Sequence, residues 1–88
     1  MELIINTLEE LERKELKKFK LFLTDETLEG FQRIPRGDLE NADATDVTSK
    51  IWETYKSDGS LKITLHILKK MKLHNLVDKL EREVHWAG

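Results

Sequence analysis

Three histidines, a few adjacent carboxylates and two lysine-rich runs are the residues here whose types could do chemistry. His66, His74 and His85 would hold a metal ion if they stood at i, i+4 on one helix face or converged with other ligands. They are not so spaced and have no clustered partners, so they read as surface or partly buried side chains and no metal site is expected. Glu9 and Glu10 are sequence neighbours, but neighbours point in different directions on a helix, which leaves no tuned acid–base pair. The chain has no glycine-rich phosphate loop, no Gly-x-Ser-x-Gly turn and no His-Glu-x-x-His helix. It also has no cysteine, which removes thiolate metal sites and disulfide frameworks together. A non-enzyme without a cofactor is expected.

The runs Lys17-Lys18-Phe19-Lys20 and Lys69-Lys70-Met71-Lys72 raise phosphate recognition. That chemistry rewards a concentrated positive surface, whereas this chain has a net charge of −2 and an acidic block beside each basic one. No nucleic-acid partner is expected, although a small helical nucleic-acid-binding domain using Lys62, Lys69, Lys70 and Lys72 stands as an alternative. Arg36-Gly37-Asp38 spells an adhesion tripeptide, but three residues match often by chance, and a glycine turn leading into a helix-starting Asp explains them.

Charge placement is more informative than its sum. Residues 1–12 carry −4 through Glu2, Glu9, Glu10 and Glu12, and residues 13–20 return +4. Asp38, Glu40, Asp43 and Asp46 give −4, and Lys62, Lys69, Lys70 and Lys72 give +4. Blocks of opposite sign on different faces of one small body can orient a charged partner.

The elements that position these charges are helices. Eighty-eight residues with one proline and four glycines suit one small all-α domain, spanning 1–88 with its core over about 3–84 and a tail at 85–88. Ile4, Leu8 and Leu11 form one apolar stripe and Leu16, Phe19 and Leu23 another, with the phase breaking near Arg13 and Lys14. Residues 29–38 hold Gly30, Pro35 and Gly37 and read as a loop pinned by Phe31 and Ile34. Residues 38–41 suit one short turn of helix, and Asp43 suits an N-cap for a helix with Val47, Ile51 and Tyr55 on one face. That helix should end near Ser57-Asp58-Gly59, with Ser60 capping the next, whose stripe is Leu61, Leu65 and Leu68. Leu73, Leu76, Leu80 and Val84 fall on a different azimuth, which requires a break near Lys72. The expected core is Leu8, Leu11, Leu16, Phe19, Ile51, Leu65, Leu68, Leu76 and Leu80. Nothing approaches the roughly 20 apolar residues of a membrane span, and no signal-peptide run is present, so no membrane partner and a cytoplasmic address are expected.

Four stretches together resemble the pyrin domain of the death-fold superfamily. They are Thr7-Leu8-Glu9-Glu10-Leu11, Glu15-Leu16-Lys17-Lys18-Phe19-Lys20-Leu21, Arg33-Ile34-Pro35-Arg36-Gly37 running on to Leu39-Glu40-Asn41-Ala42-Asp43, and Thr64-Leu65-His66-Ile67-Leu68-Lys69-Lys70-Met71. The resemblance implies a six-helix antiparallel bundle of the death-fold type, with a short third helix after a long loop. It also implies a homotypic pyrin–pyrin interaction module that nucleates or joins inflammasome filaments in innate immune signalling. Its partners would be other pyrin domains, and its host an NLR-type sensor or adaptor; a pyrin-only regulator is the alternative. The family's main contact pairs an acidic surface with a basic one. Carried over by position, the acidic side is Glu9, Asp43 and Asp46, and the basic side Lys17, Lys18 and Arg36. Phe22 stands where the family's adaptor has a lysine, which implies an apolar contact there, and Lys72 stands where a glycine is common.

Overall fold

The computed structural model describes residues 2–25 and 32–87, with side chains described for all of these except residue 57 and residues 84–87. The helices are α1 (Glu2–Glu9), α2 (Arg13–Asp25), α3 (Arg36–Leu39), α4 (Ala44–Lys70) and α5 (His74–Ala87). Lys56, at φ 62° and ψ −168°, is non-helical and kinks α4 into two arms, 44–55 and 57–70. The described residues therefore form six helical segments and no strand, as the bundle requires.

The break after α1 comes earlier than the apolar phase suggests. Residues 10–12 turn the chain, and the Glu15 carboxylate accepts the Glu12 N–H at 2.8 Å. That is the return half of a capping box, and it starts α2 at Arg13. Buried Phe19 and Leu23 hold α2 to the core, with Leu16 half-buried beside them.

Ile34 is buried, and the Tyr55 hydroxyl donates to the Gln32 carbonyl at 2.5 Å, so residues 32–35 are tied to α4. Phe31, the other expected pin, lies outside the described residues, as do the side chains of Val84, His85 and Trp86. The short helix begins at Arg36, directly after Pro35, and not at Asp38. Pro35 has no N–H to lose and its φ of −57° suits a helix entrance. Gly37 is thus a helical residue and not a turn.

Asp43 caps α4 as its type and position predict, its Oδ1 accepting the Asp46 N–H at 2.9 Å. Ser60 does not cap a helix. The kink comes at Lys56, and the buried Ser60 hydroxyl lies inside the second arm, directed at the carbonyls of Ile51 and Lys56. The buried face of that arm is Ile63, Thr64, Ile67 and Leu68, while Leu61 and Leu65 are only half-buried. Across its whole length α4 is packed by α1, α2, α3 and α5. Of the expected stripe of Leu61, Leu65 and Leu68, only Leu68 is fully buried, and the packing of the bundle encloses Ile63 and Ile67 instead.

The turn after α4 is a Schellman motif. Leu73 N–H donates to the Leu68 carbonyl at 3.0 Å and Lys72 N–H to that of Lys69 at 3.0 Å. Lys72 sits at φ 61°, the left-handed conformation that glycine adopts without cost. In α5 the buried pair is Val77 and Leu80, with Leu76 half-buried.

Phe19 is fully buried, and Phe19→Ala should lower unfolding free energy by about 3–5 kcal/mol in urea titration. An unchanged midpoint would remove Phe19 from the core. Burial raises the Tyr55 pKa above 10.0, so the folded state holds the phenolic proton more tightly than the unfolded chain. Its contribution is complete below about pH 10 and is lost as pH rises through the folded pKa. Tyr55→Phe should therefore flatten the fall of melting temperature above about pH 10 relative to the parent; parallel curves would contradict this.

Candidate interaction surface

Core packing decides where the charges of α2 point. At about 100° per residue, burying Phe19 and Leu23 turns Lys17 and Lys18 outward, and both are exposed. They face two different depressions.

The first, of about 750 Å³, lies between α2 and α3. Arg13, Lys17, Lys20 and Arg36 surround it, and Leu16, Leu39 and Ala42 contribute apolar surface. Lys20 Nζ donates to the Ala42 carbonyl at 2.8 Å, which ties α2 to the segment that follows α3. Four cations from two helices converge here, with the carboxylates of Glu40 and Asp43 on the same rim. Asp43, expected on the acidic side, lines the same depression as Lys17 and Arg36.

The second depression, of about 490 Å³, lies between α2 and the turn after α4. Lys18, Leu21, Phe22, Met71 and Leu73 line it with Lys72. Phe22 is half-buried and packed on the core, with part of its surface facing this groove.

Asp46 is exposed on the far side of α3, in a depression shared with Asp38, Lys50 and Glu53. Lys50 Nζ lies 3.9 Å from Asp38 and 3.9 Å from Glu53, which spreads one positive charge over two carboxylates. Glu9 is exposed at the end of α1, whereas its neighbour Glu10 is engaged by Lys79 at 3.0 Å. The acidic block at 1–12 is thus partly engaged within the chain: Glu10 pairs with Lys79 of α5 at the surface, while Glu9 is exposed beside it.

The structure joins Lys17, Arg36 and Asp43 at one depression, groups Lys18 with Phe22 at another, and leaves Glu9 and Asp46 apart from both. Arg13, Lys20 and Leu21 are members of the surface that the motif reading passed over. For Leu21 a signal was present, because it falls roughly opposite the Leu16, Phe19 and Leu23 stripe on a helical wheel. No helix among the described residues is long and apolar enough to cross a membrane.

The PAAD/DAPIN/Pyrin domain family matches residues 3–78. The chain belongs to that family. Pyrin domains are protein-interaction modules of the death-fold superfamily and not a class of enzymes. Mouse "Apoptosis-associated speck-like protein containing a CARD" is 41% identical over 86 residues, covering 97% of this chain and 45% of the relative. Human "Pyrin domain-containing protein 1" is 39% identical over 82 residues, covering 92% of each. Mouse "NACHT, LRR and PYD domains-containing protein 6" is 35% identical over 82 residues, or 93% of this chain and 9% of the relative. The chain thus spans anything from a tenth to nearly all of the length of these relatives. The solution structure of the pyrin domain of human Pyrin superposes with a TM-score of 0.84 over 97% of this chain and 96% of that one, at 24% identity. At that identity the likeness speaks for the fold.

The Asp43 carboxylate has a structural task besides any contact it makes. Asp43→Ala should cost about 1 kcal/mol in chemical denaturation, with Asp43→Ser retaining most of the stability. Equal stability of Asp43→Ala and the parent would show that the cap is energetically idle.

Proposed function

We propose that this pyrin domain is a homotypic interaction module that joins inflammasome assembly, acting in the cytoplasm within or beside a sensor or adaptor. The observation that carries this reading is the convergence of Arg13, Lys17, Lys20 and Arg36 on one depression between α2 and α3. The complementary acidic groups are Glu9, exposed at the end of α1, and Asp46, exposed in the first turn of α4, with Asp43 lining the cationic depression itself. Lys18 extends the cationic side along α2. The identity to proteins named for a CARD or for NACHT and LRR segments supports placing the domain in that signalling context.

A cationic patch and an acidic patch at different places on one body favour head-to-tail docking, which repeats without closing. Each exposed ion pair contributes only about 0–1 kcal/mol and is screened by salt. One contact is therefore weak, and repetition along a filament supplies avidity. The relative that matches over 92% of its length supports a second reading, in which such a domain works with little else attached and caps assemblies as a regulator.

Charge reversal tests the contact. Arg36→Glu and Asp46→Lys should each abolish self-assembly at about 0.15 M salt, as followed by sedimentation and negative-stain microscopy. An equimolar mixture of the two should regain assembly, because the reversed surfaces now complement one another. Assembly by both single variants at the parent's threshold would defeat the electrostatic assignment. Capping would show as a parent protein that shortens filaments of another pyrin domain without extending them.

A further inference from the structure

Glu40 carries a carboxylate with no evident task in the fold. It follows Leu39 at the end of α3, is exposed, and lines the depression between α2 and α3. The other carboxylate on that rim is accounted for, because Asp43 Oδ1 accepts the Asp46 N–H and caps α4. Among the described residues no cation forms an ion pair with Glu40. Its position is also locally disfavoured. The end of a helical turn exposes carbonyl oxygens, beside which a cation is the stabilising charge and a carboxylate the opposing one.

The charges around Glu40 are close to balanced. Arg13, Lys17 and Arg36 are exposed on the depression, whereas half-buried Lys20 is held by the Ala42 carbonyl. Three outward cations therefore stand against two outward carboxylates, Glu40 and Asp43. A partner face made of carboxylates is attracted by the first set and repelled by the second. Like charges brought together at a contact are a device by which an interface rejects one partner in favour of another. Resting on the head-to-tail reading above, we propose that Glu40 is a specificity-determining residue of the cationic surface, acting as a brake on docking by a second copy of this chain. The second copy presents Glu9 and Asp46, exposed carboxylates that are drawn to the cations and repelled by Glu40. A pyrin domain with a cation or an N–H donor opposite Glu40 docks without that repulsion, so the residue favours a different pyrin domain over self-association.

The test compares Glu40→Gln, Asp78→Asn and Arg36→Glu with the parent, each followed for melting temperature as dilute monomer and for the concentration threshold of assembly by sedimentation. Glu40→Gln keeps the shape and removes the charge. It should lower the threshold about fivefold at about 0.15 M salt with an unchanged melting temperature, and the difference should vanish at about 1 M salt. Asp78, exposed on α5 and outside the depression, changes the net charge by the same amount, so Asp78→Asn should assemble like the parent. A parent that stays monomeric beside a Glu40→Gln variant that assembles is the same result in stronger form. If Glu40→Gln assembles at or above the parent's threshold while Arg36→Glu does not assemble, the brake is wrong and the charged contact stands. An equal gain in Asp78→Asn would reduce the effect to net charge and overturn the proposal. If Arg36→Glu assembles at the parent's threshold, or no protein of the set assembles at any concentration, the head-to-tail reading fails and takes the role of Glu40 with it. A lowered melting temperature of the Glu40→Gln monomer would give the carboxylate a task in the fold and also overturn the proposal.

Discussion

Every other helix packs against α4, and the architecture depends on how that helix presents its apolar surface. Its first arm buries Val47, Thr48, Ile51 and Tyr55, and its second buries Ser60, Ile63, Thr64, Ile67 and Leu68. A straight 27-residue helix would extend about 40 Å, longer than the largest dimension of the molecule, 35 Å. The kink at Lys56 folds that length back so that both arms share one core. It places a lysine in a backbone region that only glycine visits readily, and burial along the two arms offsets that strain.

The same core orients the surface. Phe19 and Leu23 anchor α2, and their burial fixes the rotation of the whole helix about its axis. Lys17, Lys18 and Leu21 are outward as a consequence. The α3 turn is then held beside α2 by Leu39 in the core and by Lys20 on the Ala42 carbonyl, which brings Arg36 to the cations of α2. A cationic depression assembled from two elements is thus a product of apolar packing, since like charges would not gather unaided. The carboxylates are sorted in the same way: Glu10 goes to Lys79, Glu15 to a helix cap and Asp43 to another, while Glu9 and Asp46 stay outward.

Much of this was legible in residue order. The α1–α2 division, the Asp43 cap, the break around Lys72 and the inward Ile34 all follow from short-range rules that need only a few neighbouring residues. Ser60, Leu61 and Leu65 were not, because local patterning cannot say which face of a helix packed by several neighbours is the most enclosed. The start of α2 carried a readable signal in Glu12-x-x-Glu15, but the apolar phase pointed a few residues later. At the surface, block charges identified which segments are acidic or basic, and Leu21 was distinguishable from Phe22 only by its angle to the buried stripe.

Sequence alone determined that this is a small helical domain with alternating charge blocks and the motif set of a pyrin domain, because composition, periodicity and capping are local properties. Tertiary structure alone decided which charges meet. It brought Asp43 to the same depression as Lys17 and Arg36, turned Lys18 toward a second depression on the other side of Leu21 from Lys17, and paired Glu10 with Lys79 of α5. Those relations join residues up to 69 positions apart, and they exist only once burial of the shared core has set the rotation and spacing of the helices that carry them.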